Sequence, residues 1–141
     1  MKRKASAVWK GDLKSGKGSI STESGVLKDT QYSFSTRFEN GVGTNPEELI
    51  AASHAGCFSM AFSAELGKAG FTPAAIHTTA TITLDKTDVG FTVTESHLDM
   101  TASIPRIDQA KFIAIANGAK AGCPISRLLN AKVSLDAKLE G

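Results

Sequence analysis

The chain has 141 residues, of which 41% are hydrophobic and 21% are charged, and its formal net charge is +2. This length suits a single domain, residues 1–141, with a real hydrophobic core. So small a net charge argues against nucleic acid or a membrane surface as the main partner. No apolar segment of a signal peptide follows the basic start. Because Glu65 and Lys68 interrupt the longest apolar run, a membrane span is not expected either, and the cytosol is the predicted location.

The first part of the chain predicts an antiparallel meander of three strands. The strands are expected at residues 4–9, 17–22 and 31–38. In the third strand Tyr32, Phe34 and Phe38 share one face with a threonine, and polar residues alternate with them. This pattern places Arg37 on the polar face near the end of the strand, where a charged side chain is usually only solvated.

A long helix is predicted from Pro46 to about Lys68. Asn45 is a suitable N-cap, Pro46 suits the first helical position, and Gly70 is a plausible C-terminal cap. Between them lie mainly Ala, Ser and Gly with scattered large apolar residues. A helix that is apolar nearly all round is buried. One chain of this length has difficulty covering such a helix on every side, so a dimer is expected.

The second part of the chain predicts two long strands, two helices and a closing strand. The elements are expected at residues 76–84, 91–104, 109–120, 124–129 and 133–139. A change of alternation inside the second strand predicts a β-bulge between Thr94 and His97, and Asp108 is the predicted cap of the first helix. This order of elements indicates an α+β two-layer domain.

The two cysteines, Cys57 and Cys123, are the first candidates for chemistry. Free cysteine is among the most buried residue types and often only packs. Cys123 is the better local candidate for activation, because it precedes Pro124 at a helix start, where the helix dipole lowers a thiol pKa. Together the two thiols form the minimum set for peroxide reduction, since a thiol oxidised to sulfenic acid needs a second thiol to resolve it.

The other polar candidates have ordinary alternative explanations. Glu47 and Glu48 are first-turn carboxylates that favour the helix dipole. His54 lies one turn before Cys57, where a histidine is more often a satisfied buried residue than a base. The histidines and cysteines are too widely spaced for a zinc pattern, so no metal is expected.

Several motifs resemble the OsmC family, the osmotically inducible hydroperoxide reductases, and cover essentially the whole chain. The quoted segments are Trp-Lys-Gly-Asp at 9–12, Gly-Lys-Gly at 16–18, Ser-Thr-Glu-Ser-Gly at 21–25, Thr-Arg-Phe at 36–38, Thr-Asn-Pro-Glu-Glu-Leu at 44–49, His-Ala-Gly-Cys-Phe-Ser-Met at 54–60 and Ala-Gly-Cys-Pro-Ile-Ser at 121–126. The first of them is more similar to the OsmC branch than to the sister group, the Ohr organic hydroperoxide resistance proteins.

The resemblance implies an OsmC-like fold, with antiparallel sheets wrapped around a buried central helix in an intertwined homodimer. It implies thiol-dependent reduction of organic hydroperoxides in oxidative and osmotic stress defence. The residue matching Cys57 attacks the peroxide, and the residue matching Cys123 resolves the product. Residues matching Arg37 and Glu47 assist, the glutamate coming from the other subunit. A lipoyl-type dithiol is the implied reductant, with no cofactor.

The resemblance and the local chemistry disagree about which thiol is activated. A cysteine in the middle of a helix has no free N–H groups to stabilise its charge, so Cys57 needs Arg37 as a cation. Because Arg37 supplies this cause, Cys57 is the predicted nucleophile. An apolar pocket that favours organic peroxides over hydrogen peroxide is expected from Phe58, Met60, Phe62 and Ile125.

Helix geometry makes a prediction about Glu47. It lies ten residues before Cys57 on one helix, so about 15 Å of helix rise separates them. Two helices that cross antiparallel about a two-fold axis would instead bring Glu47 of one chain near Cys57 and Arg37 of the other. Two rival classes remain open: a binding module of the same fold whose cysteines only pack, and a protein whose disulfide is structural.

Overall fold

The computed structural model describes every residue from Met1 to Gly141. The chain divides into two compact units, Met1–Leu49 and Ile50–Gly141. Helix α2 begins at the end of the first unit and continues through the second. The elements in chain order are β1 (Ala5–Lys10), β2 (Lys17–Thr22), β3 (Thr30–Tyr32), α1 (Phe34–Phe38), α2 (Pro46–Lys68), β4 (Ala75–Thr87), β5 (Gly90–Ser103), α3 (Gln109–Gly122), α4 (Pro124–Leu128) and β6 (Lys132–Leu139).

The first unit contains the predicted antiparallel meander. β2 pairs with β1 on one side and with β3 on the other. The rings of Trp9 and Tyr32 lie 5.5 Å apart on the face of this sheet. Gly18 lies between them, and a Cβ there would come within 2.8 Å of both rings. A glycine at this position therefore lets the two aromatic side chains approach each other.

The third predicted strand, residues 31–38, is wrong beyond Tyr32. β3 ends there, and the next residues form the short helix α1, which places Arg37 in a last helical turn instead of on a strand face. A capping box explains the change: Thr36 N donates to Ser33 Oγ at 3.3 Å, and Ser33 N donates to Thr36 Oγ1 at 2.8 Å. These two bonds satisfy backbone N–H groups at the start of the helix. The stabilisation of the helix start outweighs the strand-like alternation of the aromatic residues.

The second unit contains a mixed three-stranded sheet in the order β4-β5-β6. β4 and β5 are antiparallel, and their register shifts so that Thr83 pairs with Glu95 and Leu84 with Val93. This leaves Thr94 as the extra residue and confirms the predicted β-bulge. β6 pairs in parallel with β5, so the expectation of purely antiparallel sheets is wrong. Helices α3 and α4 supply the crossover that a parallel pair requires.

Helix α2 has the predicted ends. Asn45 accepts a bond from Glu48 N at 2.7 Å through its side chain. Gly70 adopts a φ of +88° at the other end, a conformation that favours glycine after a helix.

A single chain buries only one face of α2. Within this chain its fully buried residues are His54, Phe58, Phe62 and Leu66. The spacing of four places them on one face of the helix. Exposed positions such as Gly56 and Met60 lie on other faces. One chain thus buries one side of α2, and the expectation that a dimer covers the remaining faces stays a prediction.

By length and composition, α2 is also apolar enough to cross a membrane, in contrast to the sequence-based expectation. Its charged residues lie near its two ends. Core helices of water-soluble proteins have the same length and composition.

The hydrophobic core of the second unit forms between α2, α3 and the inner face of the sheet. Phe62 is its centre: its ring lies 6.0 Å from that of Phe58 and 5.8 Å, edge-on, from that of Phe112. Leu98 and Met100 cover this cluster from β5. The core continues to Cys123, which is completely buried. The packing of α2 and α3 against one sheet therefore fixes where both cysteines lie.

Candidate active site

The structure brings the two cysteines together. Cys57 lies in the middle of α2, and Cys123 lies between α3 and α4. Both are free thiols, and Cys123 Sγ donates a hydrogen bond to Cys57 Sγ across 3.0 Å. A disulfide bond would need a further approach of about 1 Å. The two sulfurs are thus in contact but not covalently bonded.

The backbone between the helices holds Cys123 in place. Its N–H donates to Ala119 O at 2.9 Å, and its carbonyl accepts from Arg127 N at 3.1 Å. Pro124 follows at the first position of α4, where its missing N–H costs nothing. The residue therefore ends one helix and begins the next, as the helix-start prediction for Cys123 required.

Burial is the main influence on the Cys57 thiol. It raises the pKa of Cys57 above its usual value, because a thiolate loses solvation in an apolar environment. Cys123 raises this pKa further, because a second thiolate charge next to Cys57 is repulsive, and a hydrogen bond from the backbone N–H of Ile125 lowers it in part. An activated thiol at Cys57 therefore requires a cation in addition to these neighbours.

The cation and carboxylate of the sequence prediction form an ion pair within the first unit. Arg37 Nη2 donates to Glu47 Oε1 at 2.7 Å, and Arg37 Nε donates to the same oxygen at 3.0 Å. The side chain of Glu47 is 14% exposed, whereas that of Arg37 is 38% exposed. Because both residues belong to one chain, the expectation that Glu47 of one subunit pairs with Arg37 of another is wrong.

Asn45 explains why this pair forms within one chain. Its amide nitrogen donates to Thr36 O at 3.0 Å, next to Arg37, while its amide oxygen caps α2. One side chain thereby joins the end of α1 to the start of α2. Glu48, the neighbouring carboxylate, accepts from Thr44 Oγ1 at 2.9 Å, which agrees with a capping role.

The predicted substrate pocket is not formed as expected. Phe58 and Phe62 are completely buried in the core and offer no surface to a ligand. Met60 is 77% exposed, and Ile125 is half-buried against the core. The four residues were grouped by hydrophobicity, but a helix directs residues 58 and 62 to one face and residue 60 to another.

An apolar cleft of about 260 Å³ lies instead beside Arg37 in the first unit. The aromatic and other apolar residues that line it are Trp9, Leu13, Tyr32, Phe34, Phe38 and Pro46. Ser33 completes the wall. The sequence prediction missed this cleft because its residues come from four separate segments.

His54 has a defined position that the sequence did not reveal. Its Nδ1 lies 2.6 Å from Ser96 Oγ, and its Nε2 lies 2.7 Å from Ser126 Oγ. Burial lowers the pKa of His54 and favours the neutral ring. A neutral imidazole donates from one nitrogen and accepts at the other, so both bonds can form. The ring thereby joins α2 to β5 and to α4, the helix that follows Cys123.

Comparison with known proteins shows the family to which the chain belongs. The family described as OsmC-like protein matches residues 38–138. The chain belongs to the OsmC family. It is 54% identical over 138 residues to a protein named peroxiredoxin OsmC from Escherichia coli strain K12. The aligned residues are 98% of this chain and 96% of that protein.

More distant OsmC-family proteins share the fold. The organic hydroperoxide resistance protein OhrB of Bacillus subtilis is 28% identical over 124 residues, which are 87% of this chain and 88% of that protein. An OsmC-like protein of unknown function from Vibrio cholerae superposes with a TM-score of 0.77 at 16% identity, covering 97% and 99% of the two chains. The OsmC-like fold expected from the sequence motifs is confirmed.

Ser126→Ala tests whether the His54 contacts stabilise this part of the OsmC-like fold. The substitution leaves a buried ring nitrogen without its partner, so we expect the free energy of unfolding to fall by about 1–3 kcal/mol. Urea denaturation followed by circular dichroism measures the change. Ser63→Ala, at an exposed position of α2, is the matched control and should have little effect. Equal stability of the two variants would contradict a structural role for the His54–Ser126 bond.

Proposed function

We propose that the chain reduces organic hydroperoxides to alcohols, and hydrogen peroxide less well to water, through a Cys57 sulfenic acid and a Cys57–Cys123 disulfide. The observation that carries this proposal is the contact of two free thiols at 3.0 Å. The 54% identity to peroxiredoxin OsmC supports the assignment of the chain to the peroxidases. The proposed setting is the cytosol, where such thiols stay reduced between turnovers, and the proposed role is defence against oxidative and osmotic stress.

The different exposure of the two cysteines supports the proposed roles. Cys57 is partly exposed, whereas Cys123 is completely buried. A peroxide from solution can reach only a sulfur with accessible surface, so Cys57 is the attacking residue. Cys123 is then the resolving residue, because it already touches the sulfur that becomes oxidised.

The reaction proceeds in two steps. The Cys57 thiolate attacks the terminal oxygen of ROOH, the O–O bond breaks, and the alkoxide takes a proton and leaves as ROH. Cys57 becomes a sulfenic acid. The Cys123 sulfur then attacks the Cys57 sulfur, the S–O bond breaks, and water leaves as the disulfide forms. Two thiols and one peroxide thus yield one disulfide, one alcohol and one water.

A homodimer is the proposed source of the cation that Cys57 needs. Glu47 and Cys57 are ten residues apart on α2, which corresponds to about 15 Å of helix rise. Because Arg37 is bound to Glu47, an antiparallel crossing of two α2 helices would deliver both residues of the pair to Cys57 of the partner subunit. The guanidinium lowers the pKa of the thiol there and stabilises the leaving alkoxide, while Glu47 holds it in position.

Subunit complementation tests this arrangement. Cys57→Ser and Arg37→Met are each expected to be nearly inactive alone. A mixed dimer combines Cys57 of the Arg37→Met chain with Arg37 of the Cys57→Ser chain, so one of its two sites is intact. After co-refolding, we expect activity far above that of either parent, in proportion to the mixed dimers counted by native mass spectrometry.

The matched control carries both substitutions on one chain. Mixed dimers of this double variant with the wild-type chain contain no site with both residues intact if the pair acts across subunits. They should be nearly inactive. Active mixed dimers in this control, together with no recovery in the first mixture, would show instead that Arg37 acts on Cys57 of its own chain.

The apolar cleft beside Arg37 is the proposed binding site for the organic part of the substrate. Its aromatic walls would bury an alkyl or aryl group, which hydrogen peroxide lacks, and each buried CH₂ contributes about 0.8 kcal/mol. The Arg37 side chain is 38% exposed, so its guanidinium has surface available to a peroxide oxygen. This arrangement supports a preference for organic hydroperoxides.

Reduction of the disulfide requires an external dithiol, for which a lipoyl-type donor is proposed. A steady-state assay with cumene hydroperoxide and dihydrolipoamide tests the whole function. We expect catalytic turnover, with a higher kcat/KM for cumene hydroperoxide than for hydrogen peroxide. No consumption of either peroxide would contradict the proposal.

A non-catalytic binding protein with packing cysteines is the second candidate. The observation in its favour is the raised pKa of Cys57 within one chain, which disfavours the reactive thiolate. Under this alternative both thiols remain titratable after exposure to stoichiometric peroxide.

A further inference from the structure

Two links join α2 to the segment that follows α3, and they lie side by side. Cys57 Sγ contacts Cys123 Sγ at 3.0 Å, and His54 Nε2 lies 2.7 Å from Ser126 Oγ. His54 is three residues before Cys57, and Ser126 is three residues after Cys123, so each link is about one helical turn from the other. The thiol link becomes covalent only on oxidation, whereas the polar link is present in the reduced chain.

The helix α4, which carries Ser126, has few other means of holding its position. It is five residues long and contains no fully buried residue. A helix of this length is not stable by itself in water. Ile125 packs half-buried against the core, and Leu128 at the other end is 74% exposed. The bond from Ser126 to His54 therefore contributes much of what fixes α4 against α2.

His54 is itself held in one orientation. Its ring is completely buried, and Nδ1 lies 2.6 Å from Ser96 Oγ on β5. A buried imidazole is costly unless both nitrogens have partners, and an apolar side chain would fill the same space without this requirement. An apolar side chain would not direct α4, however. The ring thus sets the position of α4 relative to the sheet as well as to α2.

The position of α4 matters for both thiols. Cys123 is the residue before α4, and the backbone N–H of Ile125, in its first turn, donates to Cys57. Attack of Cys123 on the oxidised sulfur of Cys57 requires a further approach of about 1 Å. Groups held at contact distance react much faster than free ones, and a misplacement of about 1 Å can slow a reaction about a hundredfold.

We propose that His54 is a positioning residue for the resolving step: through Ser126 it holds α4, and with it Cys123, against Cys57. This inference rests on the proposed function, because the step exists only if Cys57 becomes a sulfenic acid. Without the bond, a second ROOH competes with Cys123. The sulfenic sulfur attacks it, the O–O bond breaks, and Cys57 becomes a sulfinic acid as ROH leaves. His54 thereby protects Cys57 from irreversible oxidation.

The partition of oxidised Cys57 between disulfide and sulfinic acid tests the proposal. Each chain is mixed with cumene hydroperoxide at increasing concentrations without a reductant, and mass spectrometry counts the two products. The concentration that gives equal amounts is the ratio of the rate constants for resolution and overoxidation. We expect this concentration to be lower by about tenfold or more in Ser126→Ala than in the wild-type chain.

Ser59→Ala is the matched control for this measurement. Ser59 Oγ lies 2.7 Å from Thr78 Oγ1 on β4, so the substitution removes a bond of the same length from the same helix α2 and leaves α4 untouched. The control should keep the partition of the wild-type chain.

Two substitutions of His54 separate its two bonds. A glutamine amide reaches about as far as the Nε2 atom of histidine, and an asparagine amide reaches about as far as Nδ1. His54→Gln therefore keeps a partner for Ser126, whereas His54→Asn keeps a partner for Ser96. Both variants lose the ring, so both should lose stability. Only His54→Asn should shift the partition as Ser126→Ala does, and a loss of core packing alone would not produce this difference.

Three results would contradict the positioning role of His54. A wild-type partition in both Ser126→Ala and His54→Asn would overturn it and leave the proposed function intact. Equal shifts in Ser59→Ala and Ser126→Ala would overturn it too, since a general loosening of α2 would then be the cause. A wild-type chain that forms neither disulfide nor sulfinic acid would refute the proposed function itself, and the positioning role with it.

Discussion

Replacing Cys57 with serine is expected to lower peroxide reduction by at least about a thousandfold. A serine hydroxyl is a far weaker nucleophile than a thiolate, and Cys123, the only other thiol in the chain, is completely buried. The loss should appear as unchanged peroxide concentration in a ferrous-xylenol-orange assay. Circular dichroism checks that the variant is folded.

Cys123→Ser provides the contrasting result. Cys57 remains reactive, so the variant should consume one peroxide per chain and stop with a sulfenic acid at Cys57. A dimedone-type probe detects this product by mass spectrometry. Labelling of Cys123 in the Cys57→Ser variant, together with no labelling of Cys57 in the other variant, would reverse the assignment of the two roles.

Arg37→Met is expected to have the second largest effect, by raising the pKa of Cys57. Burial and the neighbouring sulfur already raise this pKa within one chain, so removal of the proposed cation leaves nothing that strongly favours the thiolate. Each unit of increase lowers the thiolate fraction near neutral pH about tenfold. The rate of iodoacetamide alkylation against pH measures the shift.

Arg106→Met is the matched control, because it removes an exposed arginine from a turn of the second unit. Its alkylation profile should match that of the wild-type chain. If the profile of Arg37→Met also matched it, Arg37 would serve only as the partner of Glu47, and the proposed role of the ion pair at the thiol would be wrong.

Local signals in the sequence predicted the elements that depend on local chemistry. The caps at Asn45 and Asp108 and the bulge at Thr94 follow from short-range patterns, and all three are present. The failure between Tyr32 and Phe38 has a local cause too. Ser33 and Thr36 form a capping box, and this signal was weaker in the sequence than the alternation of aromatic residues.

Features that depend on long-range contacts could not be predicted in the same way. The parallel pairing of β6 with β5 depends on the path of two intervening helices. The bonds of His54 to Ser96 and Ser126 span 42 and 72 residues. Side-chain type alone does not reveal such partners.

The candidate site was predictable where the resemblance to a family named its residues. Cys57 and Cys123 are in contact, and Arg37 and Glu47 form an ion pair, although within one chain. The expected pocket failed for a different reason: it was assigned by hydrophobicity, and the same property that suggested Phe58 and Phe62 as pocket residues buries them in the core.

Counting thiols after one equivalent of peroxide tests the central claim most directly. The reduced chain contains two thiols. The folded protein is treated with a single equivalent of cumene hydroperoxide and is then denatured so that the remaining thiols can be titrated. We expect both thiols to be lost. Peptide mapping should then find one disulfide between Cys57 and Cys123 in the same chain. Two titratable thiols remaining after complete mixing, or a disulfide only between different chains, would contradict reduction of peroxide by this contacting pair.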